Sequence, residues 1–435
     1  MSIKVADSGR TNLGWYARFW RWHFFAALLV IPFVIWQSVT GILYIWHQEY
    51  EKVVHQELMY VVPQSQRVSY QAQFDAVMQR QAGHKVTQMV ISADPDKSTQ
   101  VFFTASNGLT YPAFVNPYSG AYLGDIAPSR WLAGITRSLH GGWPLGNWGS
   151  YLLELGDGWA VLMLLTGLYL WWPRTKGWGG VLYPRLSQGQ RIFWRDLHAV
   201  VAIYISGMVL VFLVTALPWT TFWGNNVLQP IERALHQRSP SQEFFRGSVQ
   251  GQHAGHHMSA GSVVPELNRA SLDKLIAEVK AHGATGDLYI RFSSKDAIVN
   301  VRDDHPHAQD NVYFKLDAVT GDLVSKATWA DFSLIPKLVA LGVDLHQGTL
   351  FGLANQITNT VMALGLIWLS ASGFVLWYQR RPSAAGLAAP QRRPMYWTTG
   401  LKLAAVGVCI ALPLLGLSVL LIIGLDWSLG RRLAT

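Results

Sequence analysis

The chain has 435 residues, half of them apolar and 14% charged, with 20 Trp and a mean hydropathy of +0.17. That composition excludes a fully soluble protein of this size and points to several membrane spans with soluble segments between them. The net charge of +9 comes from Lys and Arg at the ends of apolar runs, and no basic stripe interleaved with aromatics supports nucleic-acid binding.

A bilayer core takes about 20 helical residues to cross, and five runs meet that length. Residues 1–21 carry Lys4, Arg10, Arg18 and Arg21 ahead of the first predicted span, 22–46, which lacks a small-residue cleavage site and reads as retained. Segment 47–149 is soluble in character: helical spacing over 69–83, then strands at VTQMVISA, STQVFFTAS and GLTYPAFVNPYSGAYLG. A second span at 150–172 leads into a loop, 173–195, with Arg174, Lys176, Arg185, Arg191 and Arg195. After a third span at 196–219, segment 220–351 repeats the soluble order: a helix at 271–283, then strands at DLYIRFSS, AIVNVRD and NVYFKLDAVTGDLVS. Gly120 and Gly321 fall at turn positions that call for positive φ. The fourth span is expected at 352–378, a loop with Arg380, Arg381, Arg392 and Arg393 at 379–399, a fifth span at 400–425 and a tail at 426–435. Cys409, the single cysteine, lies in that fifth run, so a disulfide framework, covalent C-x-x-C-H haem and an iron–sulfur ligand set are excluded. The positive loops orient 1–21, 173–195 and 379–399 toward the cytoplasm and both soluble segments outward. The expected fold class is therefore a multi-span α-helical membrane protein, five transmembrane helices with an internal repeat, bearing two small α+β modules.

The repeat is explicit. An offset of 206 aligns Leu139-His140 with Leu345-His346, Gly142 with Gly348, Gly146 with Gly352, Thr166-Gly167 with Ser372-Gly373, Leu170-Trp171 with Leu376-Trp377 and Arg174 with Arg380. An offset of 175 aligns His23 with His198 and Thr40-Gly41 with Thr215-Ala216. The order span, soluble module, span thus occurs twice, with one run appended.

Four histidines fall at matching positions. His23 and His198 stand at the cytoplasmic starts of the first and third spans; His140 and His346 stand at the outer entrances of the second and fourth. Imidazole can bind haem iron axially through one ring nitrogen while the other is hydrogen-bonded, so each pair is a candidate bis-histidine site for a b-type haem, about two haems per chain. Gly142, Gly146, Gly348 and Gly352 are expected to let a flat macrocycle approach the backbone. Interfacial placement is the alternative for each histidine, and it is the favoured reading for His47, whose repeat counterpart is Phe222. The His253, His256, His257 group reads as a polar loop, Glu154 and Asp157 as weaker candidates for a proton or cofactor role, and Asp196 as an N-cap of the third span or an orienting partner of His198. No G-x-G-x-x-G after a strand, Walker loop, Ser-His-Asp order or H-E-x-x-H motif is present, so electrons would have to come from a separate reductase or a membrane quinol.

"WRDLHAVV" at 194–201, "TGLYLWWPR" at 166–174, "L-H-x-G" at 139–142 and 345–348, and the turns "NPYSG" and "LDAVTG" resemble the PepSY-associated transmembrane (PepSY-TM) family of bacterial inner-membrane proteins. The resemblance runs from about residue 15 to 380 and implies a di-haem inner-membrane reductase of a family some of whose members reduce ferric siderophores in the periplasm, with His23, His198, His140 and His346 at the family's repeated positions. This chain lacks the flavin reductase domain that some relatives carry. Two other readings stay open: a haem-free periplasmic binding or protease-modulating PepSY membrane protein, and a haem conduit to a non-siderophore acceptor.

Overall fold

The computed structural model describes residues 3–432 apart from 143–144, 175–176, 242–269, 293–296, 382–389 and 391–397, with side chains described for 15–428 within that range. The histidine group at 253–257 lies outside the described residues. The principal helices are α1 Ile3–Ile45, α2 His47–Val54, α3 Tyr70–Arg80, α4 Leu132–His140, α5 Asn147–Trp171, α6 Gln190–Ala216, α7 Leu272–Ala281, α8 Leu334–Gln347, α9 Leu353–Arg380, α10 Thr399–Ala411 and α11 Pro413–Arg432. Residues 1–42, 145–228 and 358–435 form one compact unit, and 43–144 with 229–357 form the other.

The first unit is helical. Among the described residues four stretches are long and apolar enough to cross a membrane: Trp15–Ile45, Asn147–Trp171, Gln190–Trp219 and Leu353–Arg380. Glycines let them approach closely, as helices do where lipid offers no hydrophobic drive to association. A Cβ on Gly156 would lie 3.2 Å from Phe33, one on Gly158 3.0 Å from Leu415, and one on Gly365 3.1 Å from Ile205. The fifth apolar run departs from expectation. Instead of one span over 400–425 it forms α10 and α11, interrupted at Leu412 (φ −124°, ψ 79°). Pro413 is the cause: it has no N–H to donate, and its ring would collide with the carbonyl four residues back in a continuous helix.

The second unit holds the strands β1 Lys85–Ile91, β2 Thr99–Thr104, β3 Thr110–Val115, β4 Tyr122–Asp125, β5 Asp287–Phe292, β6 Ile298–Asp304, β7 Val312–Asp317 and β8 Leu323–Ala327. The two modules read from the sequence are not separate bodies. They join edge to edge in one eight-stranded sheet of order β4-β3-β2-β1-β5-β6-β7-β8, with β1 and β5 antiparallel and Met89 opposite Ile290. Alternation along each strand sends Met89, Ile91, Val101, Leu288, Ile290, Val299, Val301, Phe314 and Leu316 to one face. There α3 and α7 bury Phe74, Val77, Leu275, Ile276 and Val279 against them.

The two halves also cap each other. Ser69 and Ser271 are equivalent N-caps, accepting from Ala72 N–H (3.1 Å) and Lys274 N–H (3.3 Å). Asp273 accepts from Tyr70 N–H (2.8 Å) and Gln71 N–H (3.2 Å), while Gln71 Oε1 accepts from Leu272 N–H (3.3 Å). Gly120 (φ 71°) and Gly321 (φ 79°) adopt the positive φ that their turns require.

Candidate functional site

In the helical unit the repeat places two imidazoles in equivalent seats. His23 Nδ1–H donates to the Met163 carbonyl at 3.0 Å, with Thr166 Oγ1 at 3.3 Å. Since a carbonyl only accepts, the proton of His23 is on Nδ1 and Nε2 carries the lone pair. His198 Nδ1 lies 2.9 Å from Ser372 Oγ, whose own hydroxyl donates to the Leu369 carbonyl at 3.2 Å. Ser372 therefore accepts, and His198 has the same tautomer. Thr166 and Ser372 are repeat counterparts, as are Met163 and Leu369. The glycine after each hydroxyl residue makes room for the ring: a Cβ on Gly167 would lie 3.1 Å from His23 Cε1, and one on Gly373 3.6 Å from His198 Cε1. The two imidazoles are near enough for their charges to interact.

Asp196, two positions before His198, has a different role from either one read in the sequence. Helix α6 starts at Gln190 with Gly189 before it, so Asp196 lies inside the helix and caps nothing. Its carboxylate is fully buried and accepts from Arg185 Nε (2.8 Å), Arg185 N–H (3.1 Å) and Arg195 Nη2 (2.5 Å). Gly180 (φ +78°) passes so close that a Cβ there would sit 2.7 Å from Asp196 Oδ1. Trp171 Nε1–H donates to Val181 O (2.9 Å) and Tyr204 O–H to Leu182 O (3.0 Å). Asp196 thus locks the loop between α5 and α6 onto those helices. Glu154 accepts from Trp223 N–H at 3.1 Å and so serves a chain turn.

In the sheet-bearing unit His140 and His346 face each other, ring centroids 6.3 Å apart and planes at 73°. Neither begins a span. His140 is the last residue of α4 and His346 the penultimate residue of α8, separate helices that stop just before α5 and α9. The glycines that follow are conformational: Gly142 has φ 106°, Gly348 84°, and Gly146 and Gly352 both 56°. The positive φ at these four positions is what their turns require, and a Cβ on Gly146 or Gly352 would meet no protein atom within 4 Å. Asn355, buried, donates Nδ2–H to the Leu345 carbonyl (3.1 Å) beside His346. The His140 ring is deep enough in protein that desolvation pushes its pKa down to about 4; it is neutral at physiological pH, the form with a lone pair to give a metal. His47 stacks on Tyr44 at 4.9 Å and donates Nδ1–H to the Tyr44 carbonyl at 2.5 Å.

The spacing of His140 and His346 can be compared with that of two axial ligands of one metal ion. An imidazole nitrogen sits about 2.0 Å from a metal, so two imidazoles on opposite sides of one ion hold their ring centroids roughly 6 Å apart. The His140–His346 separation of 6.3 Å meets that requirement. Among the described residues no group of three or more His, Cys, Asp or Glu could hold a metal ion.

Fold and site together define a membrane protein in which the unit span, half-sheet, span occurs twice and the repeat yields two histidine pairs. The chain belongs to the PepSY-associated TM family: the family model described as the PepSY-associated TM region matches residues 20–380. Comparison with curated proteins gives no match.

Proposed function

We propose that this protein is a di-haem reductase of the bacterial inner membrane that passes electrons from the cytoplasmic side to a ferric siderophore in the periplasm. His23 and His198 would hold one haem b, His140 and His346 the other. The facing of His140 and His346 at 6.3 Å carries the reading. Bound haem supplies a one-electron couple tuned by its axial ligands. The protein's own part is orientation: the Met163 carbonyl, Thr166 and Ser372 fix the Nδ1–H tautomers of His23 and His198, and burial keeps His140 neutral. One electron delivered to a ferric chelate yields Fe2+, which hard oxygen ligands hold less tightly. In this reading the N-terminus is cytoplasmic, the sheet periplasmic, lipid surrounds the four spans, and the donor is a membrane quinol or a separate cytoplasmic reductase.

The test is a visible spectrum of the detergent-purified protein, oxidised and dithionite-reduced, with a haemochrome count. A low-spin b-type spectrum with about two haems per chain is expected. A colourless protein from haem-replete cells would overturn the reading and leave the sheet as the functional part.

A further inference from the structure

The loop between α5 and α6 turns its polar groups inward and its apolar ones outward. The Trp178 carbonyl accepts from Val181 N–H and Leu182 N–H (both 3.0 Å), and the Tyr183 carbonyl from Gly180 N–H (2.7 Å). The Val181 and Leu182 carbonyls accept from the Trp171 and Tyr204 side chains, and Arg185 N–H donates to Asp196. Pro184 has no N–H to place. The apolar side chains Trp178, Leu182, Tyr183 and Leu186 are all exposed, Leu186 at 65%. A loop in water can leave its backbone groups to the solvent. Lipid offers a backbone group no partner and welcomes an apolar side chain, and this loop is built for lipid.

Tyr204 sets its depth. Tyr204, Gly207, Val211 and Val214 follow at spacings of three and four, one side of a helix. Tyr204 is 70% exposed, Val211 and Val214 are exposed as well, and a Cβ on Gly207 would meet nothing within 4 Å. His198 is turned from this stripe, about 140° round the helix from Val211 at 3.6 residues per turn. The stripe lies in Gln190–Trp219, long and apolar enough to cross a membrane, so it is the side that α6 shows to lipid. Val200, one turn before Tyr204 on the same side, is 7% exposed, as a loop folded back over that turn requires. Tyr204 stands about 21 Å along the helix from Gln190 at 1.5 Å per residue. Its side chain leans back toward the helix start by less than half of that. The Leu182 carbonyl that it meets is therefore at least about 10 Å in from Gln190, level with the start of the apolar run at Leu197.

We propose that the loop between α5 and α6 is a re-entrant interfacial segment, with Trp178, Leu182, Tyr183 and Leu186 lying among the lipids of the nearer leaflet at the boundary of headgroups and acyl chains. Its surface continues the lipid-facing stripe of α6, so the occupant is lipid. Asp196 offsets the Arg185 charge at that boundary, and the exposed Arg195 side chain reaches the headgroups. The assignment stands without the reductase reading.

The test places a bimane fluorophore on single cysteines, Leu182→Cys, Leu186→Cys and the span reference Val211→Cys, in full-length Cys409→Ser protein in phosphatidylglycerol–phosphatidylcholine nanodiscs. The water reference is the bimane–glutathione adduct. Leu182 and Leu186 probes should lose more emission to lipid with a doxyl group near the headgroup than near the chain end, the Val211 probe the reverse, and all three should resist iodide. Quenching by iodide equal to that of the free adduct would overturn the proposal. Resistance to iodide without loss to either doxyl lipid would also overturn it, because a second copy of the chain, and not lipid, would then cover the loop. Hydroxyl-radical footprinting of the unsubstituted protein in the same discs is an independent readout: Trp178 and Tyr183 should stay unoxidised, and oxidation to the extent seen in the unfolded chain would overturn the proposal.

Discussion

His140 and His346, 206 positions apart in the chain, bring their rings to 6.3 Å at the ends of two different helices. Two imidazoles at that separation can share one metal ion between them, and neither can hold it alone with the same strength. Replacing either one should therefore remove the whole site. In His140→Ala and in His346→Ala the haemochrome count is expected to fall from about two to about one per chain, with the same residual spectrum in both. His47→Ala should keep both haems, because His47 has no counterpart in the repeat, where Phe222 takes its place. A full count in His346→Ala would remove this pair from the ligand set.

The seats of His23 and His198 differ in tightness, which yields an asymmetric expectation from symmetric substitutions. A methyl on Gly167 would press on His23 Cε1 at 3.1 Å, whereas one on Gly373 would make ordinary contact with His198 at 3.6 Å. Alanine is intrinsically better in a helix than glycine by about 1 kcal/mol, so backbone preference opposes neither change. Gly167→Ala should displace His23 from Met163 and lower the occupancy or shift the reduced spectrum of that haem; Gly373→Ala should match the parent protein. Equal behaviour of the two variants would show that the glycines do not seat the rings.

Asp196 is a buried anion held by Arg185 and Arg195. Asp196→Asn keeps the shape and strands the guanidinium charge. Breaking a buried ion pair on one side typically costs about 3–5 kcal/mol; since Arg185 is partly exposed and Arg195 exposed, about 2–3 kcal/mol is expected here. The measurement is thermal inactivation in detergent, with limited proteolysis of the loop between α5 and α6 as the local readout. Unchanged loop protection would mean that the Trp171 and Tyr204 hydrogen bonds suffice to hold it.

Much of this arrangement is legible in the sequence because the repeat carries it. The 206 offset pairs His140 with His346 and Thr166-Gly167 with Ser372-Gly373 without any coordinates. The role of the hydroxyl–glycine pairs was hidden, since only packing shows that a ring rests on them. Asp196 misled because the apolar run starts there while the helix starts six residues earlier, at Gln190; hydropathy marks lipid, and helix ends are set by hydrogen bonding. The merged sheet could not be read either. Each module's strands alternate as an independent sheet would, and nothing local to β1 or β5 says that Met89 pairs with Ile290. Pro413 was visible in the fifth run, and hydropathy gave it no weight.

Acid should expose the environment of His140. Its folded-state pKa, about 4, is depressed from 6.5 by burial. Above 6.5 the imidazole is neutral in the folded and unfolded chain alike, and the stability tied to it is fully present. As pH falls from 6.5 toward 4 the unfolded chain takes up a proton that the folded site refuses, so that contribution is progressively lost. Haem-depleted protein should accordingly melt at lower temperature at each step down through this window, and His140→Leu should flatten the dependence. With haem bound the lone pair is committed to iron, and the spectrum should persist to lower pH than a solvent-exposed imidazole ligand would allow. A melting temperature independent of pH across the window, with the His140→Leu protein indistinguishable from the parent, would mean that water reaches the ring freely.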